Sequence, residues 1–167
     1  NLKEGVVELV DLKNFKILHT WNPNVDEFHD SVETVGNFKY LKRDYNESRR
    51  KLLHPQLTGD GGLIFNQGTF IKIDSASNLI FQKSTNQYHH SIETDSDGNI
   101  WVPSRFYPQS LPHQKVGRGI TSDDGYFDDA LFKLSPNGEI IFRKSVSQIF
   151  IDNEMEYLLF SIGGESF

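Results

Sequence analysis

Six histidines and one arginine carry most of the chemistry this chain can offer: His19, His29, His54, His89, His90 and His113, with Arg105. Imidazole changes charge near neutral pH. It can hold an anion as a cation, serve as acid and base, or attack as a nucleophile. Arginine stays charged, and its planar fork fits phosphate, sulfate or carboxylate. His54 stands in "KLLHPQLTGDGGLIF", and His89 with His90 opens "HHSIETDSDGNIWVPSR", which ends on Arg105. Each stretch reads as a short run, an Asp-Gly turn and an apolar run, the pattern of a β-hairpin. His54 and His90 then start the first strands of two similar hairpins. The antiparallel return carries Arg105 back to the side where His90 began. Together they would form an oxyanion site. Strand alternation lets only one of the adjacent histidines face that site. His90 is favoured because it shares a face with Ile92, and His89 is the alternate.

The other histidines read as structural. His19 sits at a strand end, His113 lies in a loop insertion, and His29 falls on a predicted helix. "HDSVET" after residue 28 echoes "HHSIET", but the apolar spacing around it is helical, and the echo is set aside. "GRG" at Gly117–Gly119 lacks the strand and helix of a dinucleotide loop. Asp123, Asp124, Asp128 and Asp129 lack the spacing of a calcium loop and read as solvated loop. With no zinc spacing and no cysteine, no metal site is expected. Asn46 heads a glycosylation sequon by pattern only, and no nucleophile elbow is present.

The elements that must position these groups repeat. "FIKIDSASNLIFQKS" (70–84) aligns without a gap on "LFKLSPNGEIIFRKS" (131–145), each reading strand, tight turn, strand. "ELVDLKNFKILHT" (8–20) is a weaker copy. "DGGLIF" (60–65) matches "DGNIWV" (97–102). The expected organisation is a four-stranded unit over 52–84 and a second over 90–145, with a loop insertion at 103–128. Residues 7–20 would end a preceding unit, and 146–162 would connect to a following one. Four antiparallel strands per repeat is the blade of a β-propeller, so the expected fold is mainly β, a partial propeller with short helical connections. Val25, Phe28, Val32 and Val35 predict one such helix, capped by Asn22 or Asn24. Val146, Ile149, Phe150 and Asn153 predict another, starting near Ser145 or Ser147.

Composition narrows the function classes. Residues number 167, the formal net charge is −6, and 37% are hydrophobic, including 13 Phe. That is globular and mildly acidic, which argues against binding a nucleic-acid backbone. The basic run 42–51 is interrupted by Asp44 and Glu47 and reads as a solvated face. No apolar run is long enough to span a membrane. The chain starts at Asn1 rather than Met and stops just past an apolar run. The expectation is a piece of a longer protein, since two and a half blades do not close a ring.

"GVVELVDL…FKILHTWNP", "KLLHPQLTGDGGLIF", "HHSIETDSDGNIWVPS" and "DALFKLSPNGEIIFRKSVSQI" resemble the bacterial arylsulfotransferase (aryl sulfate sulfotransferase) family over most of the chain. The likeness is strongest from His54 to Ser104. It implies a six-bladed β-propeller that moves a sulfuryl group between phenols without a soluble cofactor. In such enzymes a channel histidine is transiently sulfated, and further histidines and an arginine hold the sulfate. The resemblance implies that His54 and His90 are the sulfate-holding histidines of the catalytic site and that Arg105 is the arginine that binds substrate; His89, the alternate for His90, is counted with Arg105 as substrate-binding. It places the nucleophilic histidine in a later blade, outside these residues. The implied partner is a small aromatic sulfate or phenol, and the implied compartment is periplasmic or extracellular. A non-catalytic propeller used for binding or scaffolding is the rival reading. A hydrolase or lyase would need a metal or carboxylate base that the sequence does not offer.

Overall fold

The computed structural model describes residues 5–46, 48, 52–106, 108–111 and 127–161. His113, Gly117–Gly119, Asp123 and Asp124 lie outside the described residues. The chain is mainly β, with antiparallel sheets, and divides into two compact units, residues 1–92 and 93–167.

The first unit begins with a hairpin, β1 (Val7–Asp11) and β2 (Lys16–Trp21), as expected for 7–20. Its turn is organised by one carboxylate. Asp11 accepts from the backbone of Lys13 at 2.8 Å and from the Asn14 amide at 3.0 Å. The helix α1 (Val25–Asp30) follows, and Asn24 caps it by accepting from Glu27 N at 3.2 Å. The helix stops at Asp30, earlier than the Val25–Val35 spacing predicts, and Val35 is exposed. A 3-10 turn (Gly36–Phe38) and a short helix α2 (Leu41–Asp44) follow. Here Val32, Phe38 and Leu41 form their own small core.

Four strands then form the sheet expected over 52–84: β3 (Leu53–Leu57), β4 (Leu63–Gln67), β5 (Thr69–Ile73) and β6 (Leu79–Lys83), hydrogen-bonded in that order. Leu63, Phe65, Ile71 and Ile73 pack on Trp21 and Val25, so the preceding hairpin and α1 cover one face of this sheet. Two hydrogen bonds pin that hairpin in place. His19 Nε2 lies 2.8 Å from the Ser75 carbonyl oxygen, and Trp21 Nε1 donates to Gly61 O at 3.2 Å. His19 thus joins the hairpin to the turn between β5 and β6. Gly62 is forced by close approach, because a Cβ there would sit 2.1 Å from the Ile73 carbonyl oxygen. A short strand β7 (Gln87–Tyr88) follows, and Tyr88 packs on Phe70.

The second unit contains β8 (Glu93–Thr94), β9 (Ile100–Phe106), β10 (Asp128–Leu134) and β11 (Ile140–Ser145), all antiparallel to their neighbours. The strand β9 runs to Phe106, so strand occupies the start of the stretch read as an insertion. On the buried face of β9 and β10 lie Ile100, Val102, Ala130, Phe132 and Leu134. The turns of the two units match in backbone conformation. Gly61 and Gly98 are both in the left-handed region, and so are Ser77 and Gly138 in the matching turns. Each unit also pairs a lysine of its third strand with the aspartate of a turn, Lys72 to Asp60 at 2.9 Å and Lys133 to Asp95 at 2.8 Å.

Helix α3 (Val146–Asp152) starts where the sequence predicts. Ser145 caps it by accepting from Gln148 N at 3.2 Å. It ends near Glu154, whose φ is +58°, and α4 (Tyr157–Ser161) begins beyond the break. Ser145 has a second task. Its hydroxyl donates to Asp128 Oδ1 at 2.6 Å, while Asp128 Oδ2 accepts from Ser110 N at 2.6 Å and Ser110 Oγ at 2.5 Å. The expectation that Asp128 and Asp129 belong to a solvated loop is corrected: both lie on β10, and Asp128 is buried and fully engaged.

Candidate functional site

The histidines singled out above sit where the strands break. Among the described residues, five non-glycine residues have φ in the left-handed region: Phe15, His54, Ser77, His90 and Glu154. Phe15 and Ser77 lie in hairpin turns, and Glu154 lies at a helix end, where this conformation is ordinary. His54 (φ +46°) and His90 (φ +59°) lie in neither. The left-handed region costs a side-chain-bearing residue about 1–2 kcal/mol. Such outliers gather at functional sites.

The local cause at His54 is a β-bulge. Leu53 faces Asn66 and Gln56 faces Ile64, so the register shifts across His54 and Pro55. Proline has no N–H to give a ladder, so a bulge accommodates it well. Bulges bend a strand and re-aim side chains, often beside active sites. The result is an exposed His54. His90 breaks its run differently. The strand stops at Tyr88 and resumes at Glu93, with a bend at His90 between. The imidazole of His90 is exposed and that of His89 is half-buried. Their rings meet edge to face with centroids 4.8 Å apart.

The face argument that favoured His90 over His89 is corrected. It assumed an extended chain through Ile92, and the left-handed turn at His90 breaks the alternation. Ile92 is buried while His90 is exposed. His90 remains the outward-facing member of the pair because the chain turns there.

The first unit brings the surroundings of His54 and His90 together through one residue that the sequence reading missed. Asn66, fully buried on β4, faces Leu53 across the sheet, and Leu53 is the neighbour of His54. From the same position its Nδ2 donates to the His90 backbone carbonyl at 2.9 Å. A polar residue in the apolar run "LIFNQ" was the available signal.

Arg105 belongs to the second unit. It lies directly across from Asp129 on β10. Its Nε donates to Asp129 Oδ1 at 3.0 Å, and its guanidinium lies 4.2 Å from the centre of the Phe127 ring. A cavity of about 670 Å³ in the first unit is lined by residues including Asp26, His29, Asp30 and Lys42, and neither His54 nor His90 lines it. His29 is 1% exposed, and neither ring nitrogen reaches hydrogen-bond geometry with a described residue. Burial lowers its pKa below 6.5, against the pull of the Asp26 and Asp30 carboxylates. Among the described residues no group of histidines and carboxylates is placed to hold a metal ion, and no helix is long and apolar enough to cross a membrane.

Antiparallel sheets with one exposed histidine at a bulge of β3 and another at the bend between β7 and β8 define a mainly β protein. The family model of the arylsulfotransferases (ASST) matches residues 55–166, and the chain belongs to that family. The match begins one residue past His54 and includes His89, His90 and Arg105. No curated protein matches the chain.

Proposed function

We propose that the intact protein transfers a sulfuryl group from an aryl sulfate to a phenol, on a β-propeller of which the two four-stranded units are blades. Family membership supports the class of reaction. The observation that carries the site assignment is the shared strained conformation of His54 and His90 outside any tight turn. In this reading both imidazoles hold the sulfate oxygens. Arg105 takes the anion-holding role that the resemblance implies, and His89 backs the His90 ring.

The attacking imidazole, assigned outside these residues, forms an N–S bond as the S–O(aryl) bond breaks, and a second histidine gives its proton to the leaving phenolate. The acceptor phenol then attacks sulfur, the N–S bond breaks to free the imidazole, and the phenol's proton returns to the second histidine. Charge builds on the peripheral oxygens during both steps. Positioned cationic donors stabilise that charge more than they stabilise the ground state. No soluble cofactor is needed for this balance.

The test is a sulfotransfer assay on the intact protein with an aryl sulfate donor and a phenol acceptor. His54→Ala and His90→Ala should each lower kcat by roughly 10²-fold, the scale of losing one donor to a charged transition state. Full activity in the double variant His90→Ala/Arg105→Ala sinks the assignment. A non-catalytic binding module is the second reading. It is favoured by the ion pair that already engages Arg105 with Asp129, and it predicts no sulfotransfer with any donor.

A further inference from the structure

We infer that Asn66 is a positioning residue for His90 and ties the two histidines into one preorganised anion site. The inference rests on the reading of His54 and His90 as anion-holding groups. Asn66 is out of place by every local rule. It sits in a strand buried along its whole length, between Phe65 and Gln67, where an apolar side chain would avoid the cost of burying an amide. A buried amide with incomplete hydrogen bonding costs about 1–3 kcal/mol. Asn66 Oδ1 has no hydrogen-bond partner among the described residues. Its Nδ2 donates to the His90 carbonyl at 2.9 Å, and His90 is the residue that holds a left-handed φ of +59°.

The geometry explains why this bond matters. Between Tyr88 and Glu93 the chain belongs to no strand, so His90 lacks a ladder to hold its backbone. One buried amide, fixed by β4, supplies that hold. The carbonyl direction sets the φ and ψ of the bend, and these set where the imidazole points. The same Asn66 faces Leu53, next to the bulge that turns His54 outward. Both imidazoles are thus referred to one rigid point of the sheet. The repeat partner of Asn66, counted from the matched Asp-Gly turns, is Pro103, which has no amide side chain. The tether is therefore not a feature that the repeat requires.

The experiment uses the 167-residue chain with isotope-labelled histidine and titrates it with inorganic sulfate, following the ring resonances of His90, His54 and His19. Wild type should shift its His90 and His54 resonances with sulfate, and His90→Ala should abolish binding. Asn66→Ala should weaken sulfate binding roughly tenfold, within the range expected when a binding group is misplaced by about an ångström. It should also move the His90 ring resonances before any sulfate is added, leaving those of His19 in place. Asn66→Asp, which keeps the shape but cannot donate, should behave as Asn66→Ala, and Asn66→Gln should recover part of the loss. Wild-type affinity and unmoved His90 resonances in a folded Asn66→Ala chain, with binding lost in His90→Ala, overturn the positioning role and leave the anion site standing. No sulfate binding in wild type, or undiminished binding in His90→Ala, overturns the anion site. The His90 ring resonances then decide the positioning role alone. If the Asn66 variants do not fold, hydrogen exchange of the Asn66 side-chain amide in wild type decides. Slow exchange that becomes fast when His90→Pro removes the bend supports the tether, and exchange at the rate of a free amide overturns it.

Discussion

The sheet β3–β6 of the first unit and the strands β8–β11 of the second share their turns and differ in how they treat the strand after the Asp-Gly turn. In the first unit β4 is buried at all five positions, Leu63 to Gln67. In the second, β9 alternates, with Ile100, Val102 and Ser104 inside and Trp101, Pro103 and Arg105 half-exposed. The first unit has the preceding hairpin and α1 laid across one face of its sheet. Its strand had to give up polar positions, and the two it keeps, Asn66 and Gln67, reach out to hold other segments. Gln67 Nε2 donates to Tyr45 O at 3.1 Å, and Asn66 holds His90. In the second unit the half-exposed face is free for cross-strand pairs, Arg105 with Asp129 and Trp101 with Lys133, whose ammonium lies 5.0 Å from the indole. Similar hairpins thus carry different loads: one holds other segments, the other pairs charged and aromatic side chains across its own strands.

The sharpest way to break this contrast is at the matched turn residues Gly62 and Asn99. A Cβ at Gly62 would meet the Ile73 backbone, which cannot yield. Gly62→Ala should cost about 3 kcal/mol or more by chemical denaturation, the range of severe core substitutions. Asn99→Gly in the second unit removes only a side chain that bonds Asp95 at 3.3 Å, and it should cost about 1 kcal/mol. Equal losses at the two sites would mean that the units are not packed differently.

A smaller effect separates the units by pH. The folded first unit keeps His29 neutral, with a pKa below the ordinary 6.5. As pH falls through 6.5 the unfolded chain takes up a proton that the folded chain resists, so stability falls with it. His29→Phe should change stability at pH 7.5 by about 1–3 kcal/mol, the range for enlarging a packed side chain. It should also flatten the decline between pH 7 and pH 5 in thermal melts. A decline of unchanged slope assigns it to another group.

The smallest difference should come from the paired lysines. The Thr58 hydroxyl and the Lys72 ammonium lower the Asp60 carboxyl to about 2, and the Lys133 ammonium and neighbouring amides hold Asp95 well below the usual carboxylate range. Both contributions are present above pH 3.8 and are lost as pH falls through the lowered values. Lys72→Met and Lys133→Met should each change stability at pH 7 by less than about 1 kcal/mol, as expected for partly exposed pairs. They should also narrow the gap between melts at pH 7 and pH 2, and Lys133→Met should narrow it more. Variants that leave the acid response untouched would show that neither pair contributes.

Local chemistry was legible in the sequence and register was not. Asp60-Gly61, Asp97-Gly98 and Pro136-Asn137-Gly138 announced their turns because a positive φ is a property of one or two residues. Asn24 and Ser145 announced helix starts for the same reason. The bulge at His54-Pro55 depends on which residue of β4 faces which residue of β3, and a single strand does not carry that information. The helix α2 was hidden because only Leu41 of its residues is apolar and buried, so no periodicity marks it. His54 and His90 were found from their place before the Asp-Gly turns. Counted back from those turns, His90 stands one residue farther out than His54. Asn66 was missed because a buried amide looks like any polar residue until its partner is seen.

The seat of Asp128 has one more consequence. Ser110 and Asp128, 18 positions apart, are hydrogen-bonded through both the backbone and the hydroxyl of the serine. Ser145 ties the same carboxylate to the first turn of α3. One buried carboxylate thus sets both where β10 begins and where the helix begins, so the two ends cannot drift independently.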